Sequence, residues 1–158
     1  MSTSKSDSDR SGEFLIATLA VALYWVDESL QLSLEAAGFS RQSRTRSMIM
    51  LNLSMGIQRP ASIAKNIGIS RQAVHQMLKD MERENIIKMV ADPADKRARK
   101  VQFSPASDSI REAADQCVRN IETELAKRIG KRTLNQLKVA LAQNWGAPVV
   151  VPPTEVTD

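Results

Sequence analysis

The sequence has few of the residues on which several classes of protein depend. It contains one cysteine, Cys117, and one histidine, His75. A single cysteine excludes an internal disulfide, and the two residues are too few for the usual Cys/His zinc sites. His75 has no evident serine or cysteine partner, so a catalytic triad would have to be assembled entirely by the fold. The sequence therefore predicts that the chain is not an enzyme and carries no cofactor or metal.

Aromatic residues are also scarce, at 4% of the 158 residues. A core must then be built mainly from Leu, Ile, Val, Met and Ala, a mixture that suits helices better than sheets. The remaining composition, 42% hydrophobic and 25% charged, is typical of a folded chain. The length fits one domain, or one domain with an element that is stable only against another chain.

Long hydrophobic runs are missing. The most apolar stretch, FLIATLAVALYWV at 14–26, has 13 residues, whereas a membrane-spanning helix needs about 20. The residues before it mix acids with bases, unlike the basic start of a signal peptide. The stretch also lacks the basic polar face of helices that lie on membranes. A cytoplasmic protein is predicted.

The basic residues, by contrast, are concentrated in one part of the chain. Residues 59–100 hold ten Lys/Arg and five acids, a net charge of +5, while the rest of the chain has a net charge of −1. Charge segregated in this way favours a polyanionic partner, although a solvated basic face without a partner would look the same.

The order of the predicted elements follows from caps and apolar periodicity. Residues 1–11 are polar and predict disorder. Region 12–38 holds one helix, ended by Gly38, whose first half is apolar on nearly every face and therefore needs cover from a second subunit. Region 40–104 holds three helices, which begin with Ser40 as a cap, with Pro60 at the first helical position and with Ser70 as a cap. It also holds a β-hairpin with a charged tip at 91–98. Region 105–146 holds a long helix and a final helix through Trp145, and 147–158 is an extended tail.

The buried side of the second helix is predicted to include Met48, Ile49, Leu51 and Leu53. In the fourth helix, ended by Asn85, two faces separate clearly at 100° per residue. One face is apolar, with Val74, Met77, Leu78 and Met81. The opposite face has Gln72, His75, Gln76 and Lys79. Glutamine pairs with adenine, lysine reaches guanine or phosphate, and histidine donates to purine acceptors, so this face suits a DNA major groove.

Two short helices joined by a turn and followed by a charged hairpin make a winged helix-turn-helix. The segment GISRQAVHQMLKDMERENIIKMVADPADKRARKVQFS resembles the winged-helix core of the MarR family of bacterial transcription regulators, above all in DPADKR, where Asp95, Arg97 and the later Val101 match the family's wing motif. The resemblance covers about residues 40–104. It implies a mainly α fold with a small β-hairpin wing, flanked by N- and C-terminal helices that form a dimer, and small molecules that bind between the dimerisation and DNA-binding parts.

The predicted function is a sequence-specific double-stranded DNA-binding regulator, a homodimeric repressor on a pseudo-palindromic operator that a small-molecule effector would release. Ser70, Arg71 and Lys79 would hold phosphates, and Gln72, His75 and Gln76 would meet base edges. Arg97 would enter the minor groove with Asp95 orienting it, and Arg99 and Lys100 would contact phosphates.

The helices outside the core are predicted to form the dimer through apolar side chains, with the two tryptophans as anchors, although some of these residues could belong to the core of one chain. The candidates are Leu19, Leu23, Trp25, Ile121, Leu125, Leu137, Leu141 and Trp145.

Three alternatives stay open. Arg41, Arg44 and Arg46 could bind an anionic effector or a phosphate, or simply form a solvated helix start. Cys117 lies on an apolar stripe, where a buried hydrophobe is the default and an oxidant-sensing thiol the alternative. The whole basic face could instead serve a winged-helix protein-interaction module, or an antirepressor, that binds an acidic protein.

Overall fold

The computed structural model describes residues 14–152, apart from the side chains of Lys96 and Arg97. The segment at 1–11 and the last six residues of the predicted tail lie outside the described residues. Within the described range the elements are α1 (Leu15–Ala36), α2 (Arg44–Ser54), α3 (Pro60–Ile67), α4 (Arg71–Arg83), β1 (Ile87–Asp92), β2 (Asp95–Phe103), α5 (Asp108–Ile129) and α6 (Lys131–Leu141). The predicted fold class, mainly α with a β-hairpin wing, is confirmed.

Helix α1 is buried only in its second half. Its first half exposes a series of apolar side chains, including Leu15, Ile16 and Val21. Farther along, Asp27 and Gln31 are buried. The helix ends where Gly38 takes a positive φ of 88°, a conformation that glycine adopts without strain. The exposed half is the part for which the sequence predicts cover from another chain.

Polar contacts join α1 to α2. The buried Gln31 donates from Nε2 to Ser47 Oγ at 3.0 Å and accepts the Gln42 backbone N–H at 2.8 Å. Because both ends of the amide are bonded, its burial carries no unpaired polar group. The segment between the helices is thereby fixed against α1.

The arginines of the run at 40–47 are ion-paired within the chain. Arg41 bonds Glu28 and Glu35, Arg44 bonds the buried Asp27, and Arg46 bonds Glu84 just after α4. Arg44 also stacks over Tyr24 at 4.3 Å from the ring centroid. The charges that could have served an anionic effector or a solvated helix start are thus matched by carboxylates of α1 and by Glu84.

Two sequence predictions about α2 are wrong. Ser43, not Ser40, is the N-cap, and its hydroxyl accepts the Arg46 N–H. Leu51 is 45% exposed, because Asn52 takes the neighbouring buried position. Asn52 donates to Met48 O at 2.8 Å and accepts from Asn66 Nδ2 at 2.9 Å, so a polar contact joins α2 to α3.

The core lies among α2, α3, α4 and the hairpin. Its buried members are Ile49, Leu53, Ile63, Ala64, Val74, Leu78, Met81, Ile87 and Val101. The strands are antiparallel, with Ile87 opposite Phe103 and Met89 opposite Val101, and a register shift follows Ala91. The strands extend to Asp92 and Asp95, so the tip is a two-residue turn instead of the predicted eight-residue charged segment. The Val101 N–H donates to Gln58 O at 2.8 Å, which fixes β2 to the chain just before α3.

The chain divides into two compact units after Ile121, within α5. In the first unit, a short 3₁₀ turn at Pro105–Ser107 precedes α5, and Ser104 caps it by accepting the Ala106 N–H. In the second unit, Lys138 bonds both carboxylate oxygens of Glu122 at 2.8 Å. The last helix ends at Leu141, and Trp145 lies beyond it. The predicted continuation to Trp145 is wrong because Ala142 is the C-cap, with its N–H bonded to Lys138 O.

Replacement of Ile49, which has no exposed surface, by alanine should lower the free energy of unfolding by about 2 to 5 kcal/mol. Leu51→Ala on the same helix removes a side chain that is 45% exposed and should cost under about 1 kcal/mol. Urea denaturation followed by circular dichroism measures both. Equal losses in the two variants would contradict the described packing of α2.

Candidate nucleic-acid interface

Helix α4 separates its side chains into a packed face and an exposed face. It begins at Ser70, whose hydroxyl accepts the Ala73 N–H at 3.1 Å, the usual N-cap arrangement. Val74, Leu78 and Met81 are buried, at 0%, 1% and 0% exposed. The opposite face is exposed and holds Gln72, His75, Gln76 and Lys79. The two faces are those that the sequence predicts.

The turn before α4 and the turn after it fix the position of the helix. Gly68 ends α3 in the left-handed conformation, at a φ of 72°, and Asn85 follows α4 at a φ of 60°. Asn85 Oδ1 also accepts from the Ser104 hydroxyl at 2.9 Å. The start of α4 is therefore tied to α3 and its end to the residue that follows the wing.

On the exposed face, Gln76 makes weak contacts with Asp80 one turn later, at 3.3 and 3.5 Å from Nε2. Asp80 also bonds Arg83. The acids of α4 thus lie toward its C-terminal end, away from the exposed Ser70, Arg71 and Gln72 of the first turn.

The wing residues have different surroundings from one another. Arg99 is exposed, whereas Lys100 is partly buried and donates to Asp92 at 3.3 Å. Asp95 is exposed, and the side chain of Arg97 lies outside the described residues, so the predicted support of Arg97 by Asp95 stays a prediction. Lys100 serves an internal ion pair, which the sequence did not indicate.

Asp92 is the wing residue that sequence reasoning missed. Its side chain has no exposed surface, and it accepts from Arg59 Nε at 2.9 Å, Arg59 Nη2 at 2.7 Å and the Ala94 N–H at 3.0 Å, besides Lys100. The Ala94 amide, followed by the two cations, holds the pKa of this carboxyl below its ordinary value of 3.8. The signal was present in the DPAD turn, because aspartate commonly bonds a backbone N–H two residues on.

A cavity of about 450 Å³, the basic concavity, lies where α3, α4 and the wing of β1 and β2 meet. Three arginines and one histidine line it, namely Arg59, Arg71, Arg99 and His75, together with Pro60, Ala61, Met89 and Ala98. The described lining includes no acid. The structure thereby brings together three of the predicted DNA-binding residues and adds Arg59, whereas Lys100 lines a separate cavity of about 460 Å³ near Gln58 and Asn66.

The predicted dimerisation residues differ in exposure. Leu23, Leu137, Leu141 and Trp145 are exposed, Leu19, Trp25 and Leu125 are partly buried, and Ile121 is buried. Cys117 is a free, partly buried thiol on α5. Among the described residues, no three His, Cys, Asp or Glu side chains are grouped as a metal site.

Comparison with known proteins agrees with this geometry. Residues 59–88 match a family model described as winged helix-turn-helix DNA-binding. A comparison with curated proteins found no match.

Among solved structures, the chain is similar to apo MarR from E. coli, with 18% identity, 81% of this chain and 94% of that chain covered, and a TM-score of 0.62. It is also similar to the transcriptional repressor CouR bound to a 23-mer DNA duplex, with 20% identity, 88% and 97% covered and a TM-score of 0.62. For CouR from Rhodococcus jostii RHA1 bound to p-coumaroyl-CoA, the identity is 18%, the coverage 87% and 93%, and the TM-score 0.62.

The chain thus has a winged helix-turn-helix fold, and residues 59–88 match the family model of that description. Its fold is that of the MarR-family transcriptional regulators, and the resemblance found in the sequence is confirmed at the level of the fold.

The buried Asp92 predicts a pH dependence. Because its pKa is lower in the folded chain than the ordinary 3.8, the carboxylate stabilises the fold above that value, and the contribution is lost as the pH falls through the folded pKa. Asp92→Asn should therefore weaken the acid sensitivity of the free energy of unfolding, measured by urea titration from pH 7 to pH 3. Asp95→Asn is the control for loss of a carboxylate from the same hairpin. Parallel curves for wild type and Asp92→Asn would contradict the assignment.

Proposed function

We propose that this chain is a MarR-family regulator that binds double-stranded DNA sequence-specifically as a homodimer. The observation that carries the proposal is the exposed polar face of α4 beside a basic concavity that continues onto the wing. A polar helix face flanked by cations combines base-edge donors and acceptors with phosphate ligands, the two kinds of contact that DNA recognition requires.

In this proposal Gln72, His75 and Gln76 meet base edges in the major groove, while Ser70, Arg71 and Lys79 hold backbone phosphates. Their exposure supports these roles, as does the position of Ser70 and Arg71 at the first turn, since such helices enter the groove by their N-terminal residues. Arg99 contacts a phosphate beside the wing. Arg97 enters the minor groove, with Asp95 as its support.

The dimer is proposed from the apolar surface outside the DNA-binding core. In the first unit, α1 exposes Leu15, Ile16 and Leu23. In the second, α6 exposes Leu137, Val139 and Leu141. Apolar side chains in such numbers on water-exposed helices favour burial against another chain. A twofold dimer would present two α4 helices one DNA turn apart.

Helix α1 could by length and composition also cross a membrane. It has 22 residues, and an 18-residue stretch of it has a mean hydropathy of 1.3 and is 11% buried. The apolar run at 14–26 covers only the first half of this helix. Three acids in α1, Asp27, Glu28 and Glu35, are ion-paired with arginines at 41 and 44, and ionic groups are costly inside a bilayer. A dimer interface in the cytoplasm is therefore the occupant that we propose for the apolar half.

A small-molecule effector is proposed for a cavity of about 390 Å³ in the first unit. Its apolar lining includes Leu30, Leu34, Met50, Phe103, Ile110 and Val118, and Gln31 and Ser47 supply polar groups. This size and mixture are typical of ligand sites. The p-coumaroyl-CoA complex of CouR supports a ligand-responsive regulator. Repression with release by the effector is the mode we propose.

Gln72→Ala and Arg71→Gln should have different effects on a duplex enriched from a random pool. Gln72→Ala should lose about 1 to 3 kcal/mol of discrimination at one base pair. Arg71→Gln should weaken binding to all sequences alike and reduce the salt slope by about 1. Fluorescence anisotropy with single-base variants of the duplex measures both effects. Wild-type binding that depends on neither side chain, or capture of an acidic protein in place of DNA, would contradict the proposal.

Leu23→Glu should shift the protein toward monomer, because it introduces a charge at an apolar position that is 42% exposed. Sedimentation velocity at micromolar concentrations measures the shift. Lys127→Glu, which also changes an exposed residue to glutamate, is the control and should stay dimeric. A wild-type protein that sediments as a monomer would contradict the dimer.

A further inference from the structure

Arg59 has a side chain that the DNA-binding assignments above do not use. It stands at the N-cap position of α3, where its carbonyl accepts the N–H groups of Ser62 and Ile63 at 2.9 and 3.0 Å. The residue before it, Gln58, is fixed by the Val101 N–H. The backbone of Arg59 is thus held from both sides, by α3 and by the wing strand β2.

The guanidinium is also held. Nε and Nη2 donate to one carboxylate oxygen of Asp92 at 2.9 and 2.7 Å. Asp92 is fixed in turn by the Ala94 N–H in the wing turn. The donors on Nη1 stay outside this ion pair. Because Asp92 already holds one edge of the guanidinium, the other edge can bind a ligand with little further loss of side-chain rotamer freedom.

The charges of this cluster do not cancel. Asp92 carries one negative charge, and two cations bond it, Arg59 at 2.7 Å and Lys100 at 3.3 Å. Of the two, the Arg59 side chain is 52% exposed and that of Lys100 is 27% exposed. The uncompensated positive charge is therefore presented to solvent mainly by Arg59.

Arg59 lines the basic concavity together with Arg71, His75 and Arg99, and it also lines the neighbouring cavity that holds Lys100. The basic concavity has a volume of about 450 Å³, which is larger than a phosphate group. Cations converge there from α3, α4 and the wing, and the described lining offers no carboxylate to compete for them.

We infer that Arg59 is a ligand for a DNA backbone phosphate, and that Asp92 positions its guanidinium for this contact. The inference rests on the proposed DNA-binding function and adds to it a phosphate that lies between the recognition helix and the wing. Asp92 does not contact the phosphate itself, because its carboxylate is buried and would repel the phosphate if it were exposed. The ion pair thereby couples the position of the wing relative to α3 to the phosphate contact.

The test is the salt dependence of binding to two fluorescein-labelled duplexes, one carrying the selected site and one unrelated duplex of equal length. Arg59→Gln should weaken binding to both by about tenfold or more. It should also lower the slope of log K against log salt by about 0.9 for each phosphate lost. Arg59→Lys keeps the charge but not the planar edge, so its slope should stay near that of wild type while its affinity falls.

The matched control is Lys88→Gln. Lys88 is an exposed cation on β1, next to Met89, which lines the concavity. Adjacent strand residues point to opposite faces, so Lys88 lies on the other face of the hairpin. Lys88→Gln should therefore lose little affinity for DNA, although it removes one positive charge, as Arg59→Gln does.

Asp92→Asn tests the positioning of the Arg59 guanidinium separately from its contact with the phosphate. It removes no cation, so the salt slope should not fall, but the disordered guanidinium should lower the affinity for the selected site. Thermal unfolding of each variant shows whether the fold survives.

Arg59→Gln that matches Lys88→Gln in both slope and affinity would overturn the inference. A loss of affinity with an unchanged slope would also overturn it, since Arg59 would then only stabilise the wing. Failure of wild type to bind any duplex would instead overturn the proposed function itself, and this inference with it.

Discussion

Burial of the apolar side of α4 is the constraint on which the rest of the structure depends. Val74, Leu78 and Met81 recur at three and four residues and are almost fully buried, which stabilises the fold by about 1.5 to 3 kcal/mol for each side chain. Because these apolar side chains occupy the packed side of α4, the polar side chains on its opposite side face solvent. The surface proposed to contact DNA is thus a geometric consequence of the core.

Around this core, arginine–carboxylate pairs connect the helices and the wing to one another. Arg44 and Asp27 join α2 to α1, Arg46 and Glu84 join α2 to the end of α4, and Arg59 joins the start of α3 to Asp92 in the wing. The carboxylates of Asp27 and Asp92 are buried, whereas Glu84 is exposed, and exposed ion pairs contribute little stability. Each pair links one element to another. The surface proposed to contact DNA depends on how these elements are oriented relative to one another.

Features determined by nearby residues could be predicted from the sequence. The Ser70 cap, the left-handed Gly68 and Asn85, the two faces of α4 and the presence of the hairpin all follow from patterns within one or two turns of chain. The MarR-like fold was expected from the resemblance of residues 40–104 to that family, above all in DPADKR. The local patterns could not distinguish Ser40 from Ser43 as a cap, because both are serines three residues apart and the choice depends on how α1 holds Gln42.

The other differences between the predictions and the structure also arise from contacts with residues that are distant in the sequence. Leu51 was expected inside, but Asn52 is buried there because Asn66, 14 residues away, bonds it. Asp92 was not chosen as a wing residue, although its carboxylate is buried and bonded by Arg59 from 33 residues earlier; the role of Asp95 beside Arg97 stays a prediction. Two aspartates in one turn look equivalent until the distant cation is known. Arg59 was therefore missed as a site residue, although its charge was counted.

The most direct measurement is selection of randomised duplex DNA by the purified protein, followed by titration of the enriched duplex across a salt series. The account predicts an inverted repeat with half-sites about ten base pairs apart, bound with a steep salt slope. No enrichment, together with weak binding that salt does not change, would contradict the claim that the exposed face of α4 and the basic concavity recognise DNA.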